Sequence, residues 1–210
     1  MLSRDYRTIF IHIPKTGGQS IERVFLGVHG LTWEGRAPLL LRQNTDPSKG
    51  PPRLAHLFAR EYVSCGHVSV EDFETFFKFA VVRNPWARAV SAYKYMTEGR
   101  SYPFEAFIRD FSARRGNLTQ TRQVDPQVSY VQDAGGRLIV DRLLRFENLK
   151  AEFAEVGRKI FGREEPLPLS NVSPDRRDYR TFYDDATAEI VEKVYADDIA
   201  AFGYSFDQGA

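Results

Sequence analysis

Tyr6–Ser20, YRTIFIHIPKTGGQS, decides how the rest of the chain is read. Its opening half is β-rich and stops at Pro14, which cannot donate to a ladder. The glycine pair Gly17-Gly18 follows. Ser20 then opens SIERVFLGV, where Ile21, Val24, Phe25 and Val28 recur at helical spacing. Strand, small-residue loop and helix follow one another directly.

Phe77–Val82, FKFAVV, is almost continuously apolar and suits a strand buried on both faces. It runs into Arg83-Asn84-Pro85, where Asn84 is a good N-cap and Pro85 a good first helical residue. That helix carries Trp86, Ala89, Val90, Tyr93 and Met96. A third β-like stretch spans 138–146 and a third helix 147–161. A last helix is predicted from Ala186 to Phe202, with Ile190, Val191, Val194, Tyr195 and Ile199 on one stripe. Residues 36–53 and 112–125 read as surface loops, and Pro166–Pro168 as a linker. Strands alternating with helices predict an α/β fold with a central parallel sheet flanked by helices. Ligands bind such sheets at the carboxyl ends of the strands. Two places qualify: after Ile13 and after Val82.

The 210 residues suit one domain, 1–210. The formal net charge is +1, so no whole-molecule field draws the chain to nucleic acid. Locally the balance is uneven. Residues 83–122 hold eight Arg or Lys against three Asp or Glu, and 184–198 six acids against one Lys. Cys65 is the only cysteine, which excludes an intramolecular disulfide framework and a Cys-based zinc cluster. No apolar run approaches the ~20 residues of a membrane span. The first residues lack the layout of a signal peptide. A soluble, cytoplasmic protein with no membrane span is expected.

The loop after the first strand has the ingredients of an anion cradle. Gly17 and Gly18 allow close backbone approach, the following helix turns its N–H groups toward the loop, Lys15 adds a cation, and Thr16 and Ser20 add hydroxyls. A Walker A loop needs glycines before its lysine; here they come after it, and Pro14 stands immediately before Lys15. The competing reading is a plain strand-to-helix turn with a solvated lysine. At the second site Arg83 and Ser91 make a phosphate clamp, or else an ion-paired arginine and a packed serine. His67, in Cys65-Gly66-His67-Val68, is the candidate general base. His12 reads as a packed residue, while His29 and His56 have no supporting context.

Taken together, IFIHIPKTGGQSI, FAVVRNPWARAVSAYKYM, CGHVSVEDF, LLRFENL and YADDIAAFGYSF resemble the sulfotransferases, in particular the carbohydrate 2-O-sulfotransferase branch and its bacterial relatives. The resemblance implies a P-loop-like three-layer α/β fold. It implies 3′-phosphoadenosine 5′-phosphosulfate (PAPS) as donor, 3′-phosphoadenosine 5′-phosphate (PAP) as product, and no metal requirement. Lys15, Thr16, Gly17, Gly18, Gln19 and Ser20 would surround the 5′-phosphosulfate. Arg83 and Ser91 would hold the 3′-phosphate, Lys15 would assist chemistry, and His67 would be the base. Gln19 stands where many relatives have Ser or Thr. The acceptor would bear a hydroxyl, a carbohydrate being the class the branch implies. Tyr102, Arg114, Arg115, Arg122, Gln127 and Tyr130 are candidates to face it, Gln127 first among them. Asn171-Val172-Ser173 resembles a late segment near the nucleotide. A small-molecule P-loop kinase and a non-catalytic anion- or glycan-binding module are the rival functions.

Overall fold

The structure, a computed structural model, describes residues 1–113, 121–168, 175 and 177–208. Its elements in chain order are β1 (Leu2–Ser3), β2 (Thr8–Ile11), α1 (Gly18–Val28), α2 (Glu61–Ser64), α3 (Val70–Thr75), β3 (Phe77–Val82), α4 (Pro85–Met96), α5 (Phe104–Ala113), α6 (Val128–Val131), β4 (Arg142–Arg145), α7 (Leu149–Phe161), α8 (Asp185–Val194) and α9 (Ala196–Phe202). The sheet has the order β1-β2-β3-β4. β2, β3 and β4 are parallel, in register through Phe10↔Phe79 and Ala80↔Leu143, and β1 is an antiparallel edge strand pairing Leu2 with Ile9. The architecture is thus mixed α/β. Two-residue β1 is too short to show alternation, which is why sequence pattern does not reveal it.

Alternate side chains of the parallel strands go to opposite faces. Ile9, Ile11, Ala80 and Val82 pack with Leu57, Tyr62, Val68, Val128, Tyr130 and Phe202. Phe10, Phe79, Val81 and Leu144 pack with Ile21, Phe25, Leu149 and Phe153. Burial on both faces accounts for the unbroken apolar run of β3. Ile21 and Phe25 are fully buried. At roughly 1.5–3 kcal/mol for each buried side chain, they pin α1, and hence its N-terminus, against the sheet.

The predicted last helix is two helices. Tyr195 leaves helical geometry (φ −113°, ψ 28°) between α8 and α9. Its ring is buried and its hydroxyl donates to the Val124 carbonyl at 2.7 Å. That anchor fixes the break. Residues 36–53 carry short 3-10 turns at Ala37–Leu39 and Pro47–Lys49 and close through a bridge between Gln43 and Arg53. No helix among the described residues is long and apolar enough to cross a membrane.

Candidate functional site

The carboxyl ends of the three parallel strands open into three turns, and the first is the most constrained. Lys15 (φ 69°) and Gly17 (φ 80°) are both left-handed. For Lys15 that is a conformation L-residues seldom adopt and the surroundings must enforce. Thr16 is buried and its hydroxyl donates to the Ile13 carbonyl at 2.8 Å. Arg88, buried in α4, donates from Nε to the Pro14 carbonyl at 3.0 Å. Gly18 packs against the His12 ring, so close that a Cβ there would fall 2.2 Å from a ring carbon. α1 begins with neither a capping side-chain hydrogen bond nor an acidic residue in its first turn. Its positive end is therefore not neutralised locally. Ser20 is buried and Gln19 half-buried beside it.

Arg83 follows β3 and crosses to this turn. Its Nη1 donates to the Lys15 carbonyl at 3.2 Å, and its guanidinium lies 4.1 Å from the centre of the Phe146 ring, in the third turn. Its Nε is buried without a hydrogen-bond partner among the described residues. Burial lowers its pKa to about 10, although Glu147 opposes the shift. The Lys15 ammonium sits 4.1 Å over the Tyr95 ring. Burial and then the neighbouring Arg83 lower its pKa to about 8. Neither cation has a carboxylate partner among the described residues. The structure thus brings the turn, Lys15 and Arg83 together. Ser91, half-buried in α4, makes no hydrogen bond to them.

His67 stands apart from His12 and His56. His67 donates from Nε2 to the Lys49 carbonyl at 2.8 Å, while its own carbonyl accepts from Arg4, which is paired with Asp72 of α3. None of its hydrogen bonds reaches the turn or Arg83. His56 is different. Its Nδ1 lies 3.0 Å from the His12 carbonyl, and its ring meets the His12 ring edge-on at 4.6 Å. A carbonyl only accepts, so Nδ1 carries the proton and Nε2 keeps its lone pair. Burial, followed by nearby His12, holds the His56 pKa well below the ordinary histidine value. It is therefore neutral at pH 7. His12 in turn bonds the buried Glu22 carboxylate of α1 at 2.5 Å.

The acceptor candidates fare unevenly. Gln127 and Tyr130 are fully buried and face no opening. Their polar atoms serve packing: the Tyr130 hydroxyl donates to the Arg122 carbonyl at 2.5 Å, and the Gln127 amide is held between Arg83 and Asp198. Arg122 is spent on Glu61 at 2.7 Å and on the His56 carbonyl at 2.9 Å. The Tyr102 hydroxyl bonds Asp110. Arg114, Arg115 and Asn171–Ser173 lie outside the described residues.

A protein-family model, that of the sulfotransferase family, matches residues 1–205. The chain belongs to the sulfotransferase family. No curated protein matches it. Membership makes it an enzyme of sulfate transfer, a reaction that in general needs an acceptor bearing a hydroxyl. Around the first turn lie three residues that motif reading passes over. Arg88 carries a signal: it is a charge on the apolar stripe of α4, between Ala87 and Ala89. His56 sits in an apolar run, Leu54–Phe58, that marks a turn packed on the core. Tyr95 carries no signal, because only the fold places it under Lys15. Among the described residues no group of three or more His, Cys, Asp and Glu is gathered as a metal centre requires.

Proposed function

We propose that this sulfotransferase takes PAPS as donor and moves its sulfuryl group to a hydroxyl, on a carbohydrate in the reading its motifs favour. The fold is read as P-loop-like, with the donor across the first two turns. One observation carries this: two cations without carboxylate partners among the described residues, one with an orphaned buried Nε, converge on an uncapped helix N-terminus. An anion supplies what both the buried nitrogen and the helix end lack. Glycine at 17 and 18 keeps the turn tight, since a Cβ would meet Phe146 at the one and His12 at the other.

Lys15 and the backbone from Thr16 to Ser20 would hold the 5′-phosphosulfate, and Arg83, with Ser91 along α4, the 3′-phosphate. The donor supplies the activated sulfuryl group. Two histidines compete for the base. Motif resemblance nominates His67; geometry favours His56, whose Nδ1 is held by the carbonyl of His12, two residues before Pro14, leaving Nε2 unprotonated. On that reading Nε2 takes the proton of the acceptor hydroxyl, while Lys15 stands beside the oxygen that leaves sulfur. Fixed dipoles and cations aimed at developing charge are the main source of rate in such transfers.

Thermal denaturation with PAP, ADP and ATP tests the donor reading. A ligand bound only by the native state raises the midpoint by mass action. PAP is expected to raise it most; a larger shift with ATP would overturn the reading in favour of a kinase. Nucleotide binding without sulfate transfer to any acceptor in a broad panel would favour the non-catalytic module.

A further inference from the structure

We infer that Gln127, fixed by Asp198, is a positioning residue that aims Arg83 at the donor. The inference rests on the donor reading above and adds a part that the reading does not contain.

Arg83 is the first residue beyond β3, and its neighbour strand β4 ends level with Val82, where Val82 pairs with Arg145. The Arg83 backbone therefore lies past the end of the ladder. The Gln127 side chain takes the ladder's place. Its Oε1 accepts the Arg83 N–H at 2.9 Å and its Nε2 donates to the Arg83 carbonyl at 2.9 Å. A primary amide carries the same donor and acceptor as a peptide group, so one side chain satisfies both backbone groups. Gln127 is itself held. The Asp198 carboxylate of α9, fully buried, accepts from the Gln127 N–H at 2.9 Å, the Val128 N–H at 2.9 Å and Gln127 Nε2 at 3.3 Å. The same segment is hooked to the first turn, because Arg88 binds the Asp125 carbonyl at 2.9 Å and the Pro14 carbonyl at 3.0 Å. With its backbone clamped, Arg83 has its side chain directed at the Lys15 carbonyl and Phe146. The buried carboxylate of α9 thus sets the direction of a cation two elements away.

A residue that only fills the core would affect all nucleotides alike; one that aims Arg83 affects the 3′-phosphate alone. Gln127→Met keeps the volume and removes both hydrogen bonds. The full chain, its Arg83→Ala, Gln127→Met and doubly substituted forms are titrated with PAP and with ADP, which lacks the 3′-phosphate. Arg83→Ala is expected to remove most of the preference for PAP. Gln127→Met should lower PAP affinity fivefold or more and ADP affinity less than twofold. In the Arg83→Ala background it should change neither, as coupled residues do. Equal losses for PAP and ADP, or additive losses in the double variant, would overturn the positioning role while leaving the donor reading intact. An Arg83→Ala variant with undiminished PAP preference would overturn the donor reading and the inference with it. If Gln127→Met gives no folded protein, the isosteric Asp198→Asn carries the same test, with the same PAP-selective loss expected at smaller size and an unselective loss overturning the role.

Discussion

The first and second strand-to-helix turns do the same topological job with opposite chemistry. The first, Pro14–Gly17, leaves the N-terminus of α1 without a side-chain cap and uses glycine and a left-handed lysine to bend. The second, Arg83–Asn84, closes its helix end. Asn84 Oδ1 accepts from the Trp86 and Ala87 N–H groups at 3.0 and 3.3 Å, and Pro85 supplies a first helical residue with no N–H to satisfy. Asn84 Nδ2 also ties the Ser205 and Gln208 carbonyls. An open helix end has unsatisfied donors to offer an anion; a closed one has none. So the first turn offers backbone and a lysine, and the second contributes Arg83 as a side chain only.

If chemistry belongs to the first turn, its supports should dominate rate. His56→Ala is expected to lower sulfate transfer by about 10²–10⁴, the usual worth of a general base, with PAP affinity unchanged. His67→Ala is the companion measurement, and the reverse ranking would move the chemistry away from this turn. Next in size is Gly18→Ala. The added Cβ meets the His12 ring, so either the turn or the ring must shift. Overpacking of this kind costs about 1–3 kcal/mol, and PAP affinity should fall at least tenfold. A variant that binds PAP normally would mean that the tight seat of α1 on His12 does not matter to the site.

The two cations also differ in how they answer pH. Lys15, at about 8, loses its proton in a range where Arg83, at about 10, keeps its own. A bound anion favours charged Lys15, so above pH 8 binding must take up a proton. Affinity for PAP should therefore be level near neutrality and fall by up to about tenfold per unit above pH 8. Lys15→Arg should flatten that fall. A slope that persists in Lys15→Arg would assign the titration to another group.

Much of this contrast was legible in the sequence, and for physical reasons. Gly17-Gly18 and Asn84-Pro85 are backbone signals, and backbone signals act locally. The alternation of strands and helices survives for the same reason, since each β2, β3 and β4 side chain has only two faces to choose between. What stayed hidden depends on contacts distant in sequence. Gln127 reads as a residue facing the acceptor until Asp198, from a helix 71 residues later, is placed against it. His56 has no local pattern, because its role rests on the carbonyl of His12, 44 residues earlier. β1 is too short for periodicity, and the break at Tyr195 comes from a hydroxyl fixed to Val124.

The smallest expected effect separates the two turns most cleanly. Asn84→Ala removes the cap of α4, by itself a loss of typically about 1 kcal/mol and up to about 2, together with the two Nδ2 bonds to the Ser205 and Gln208 carbonyls. For a chain of this size that lowers the melting midpoint by roughly 2–4 °C for each kcal/mol. The Asn84 N–H still donates to Glu147 at 2.8 Å, since that bond needs only the backbone, and Gln127 still clamps Arg83. The direction of the Arg83 side chain should therefore survive, and PAP affinity should change less than twofold while the midpoint drops. Stability would then be carried by the second turn's cap, and ligand binding by the first turn's lack of one. If Asn84→Ala instead weakens PAP as strongly as Gly18→Ala does, the closed helix end contributes to the site after all. The asymmetry between the turns would then be one of degree.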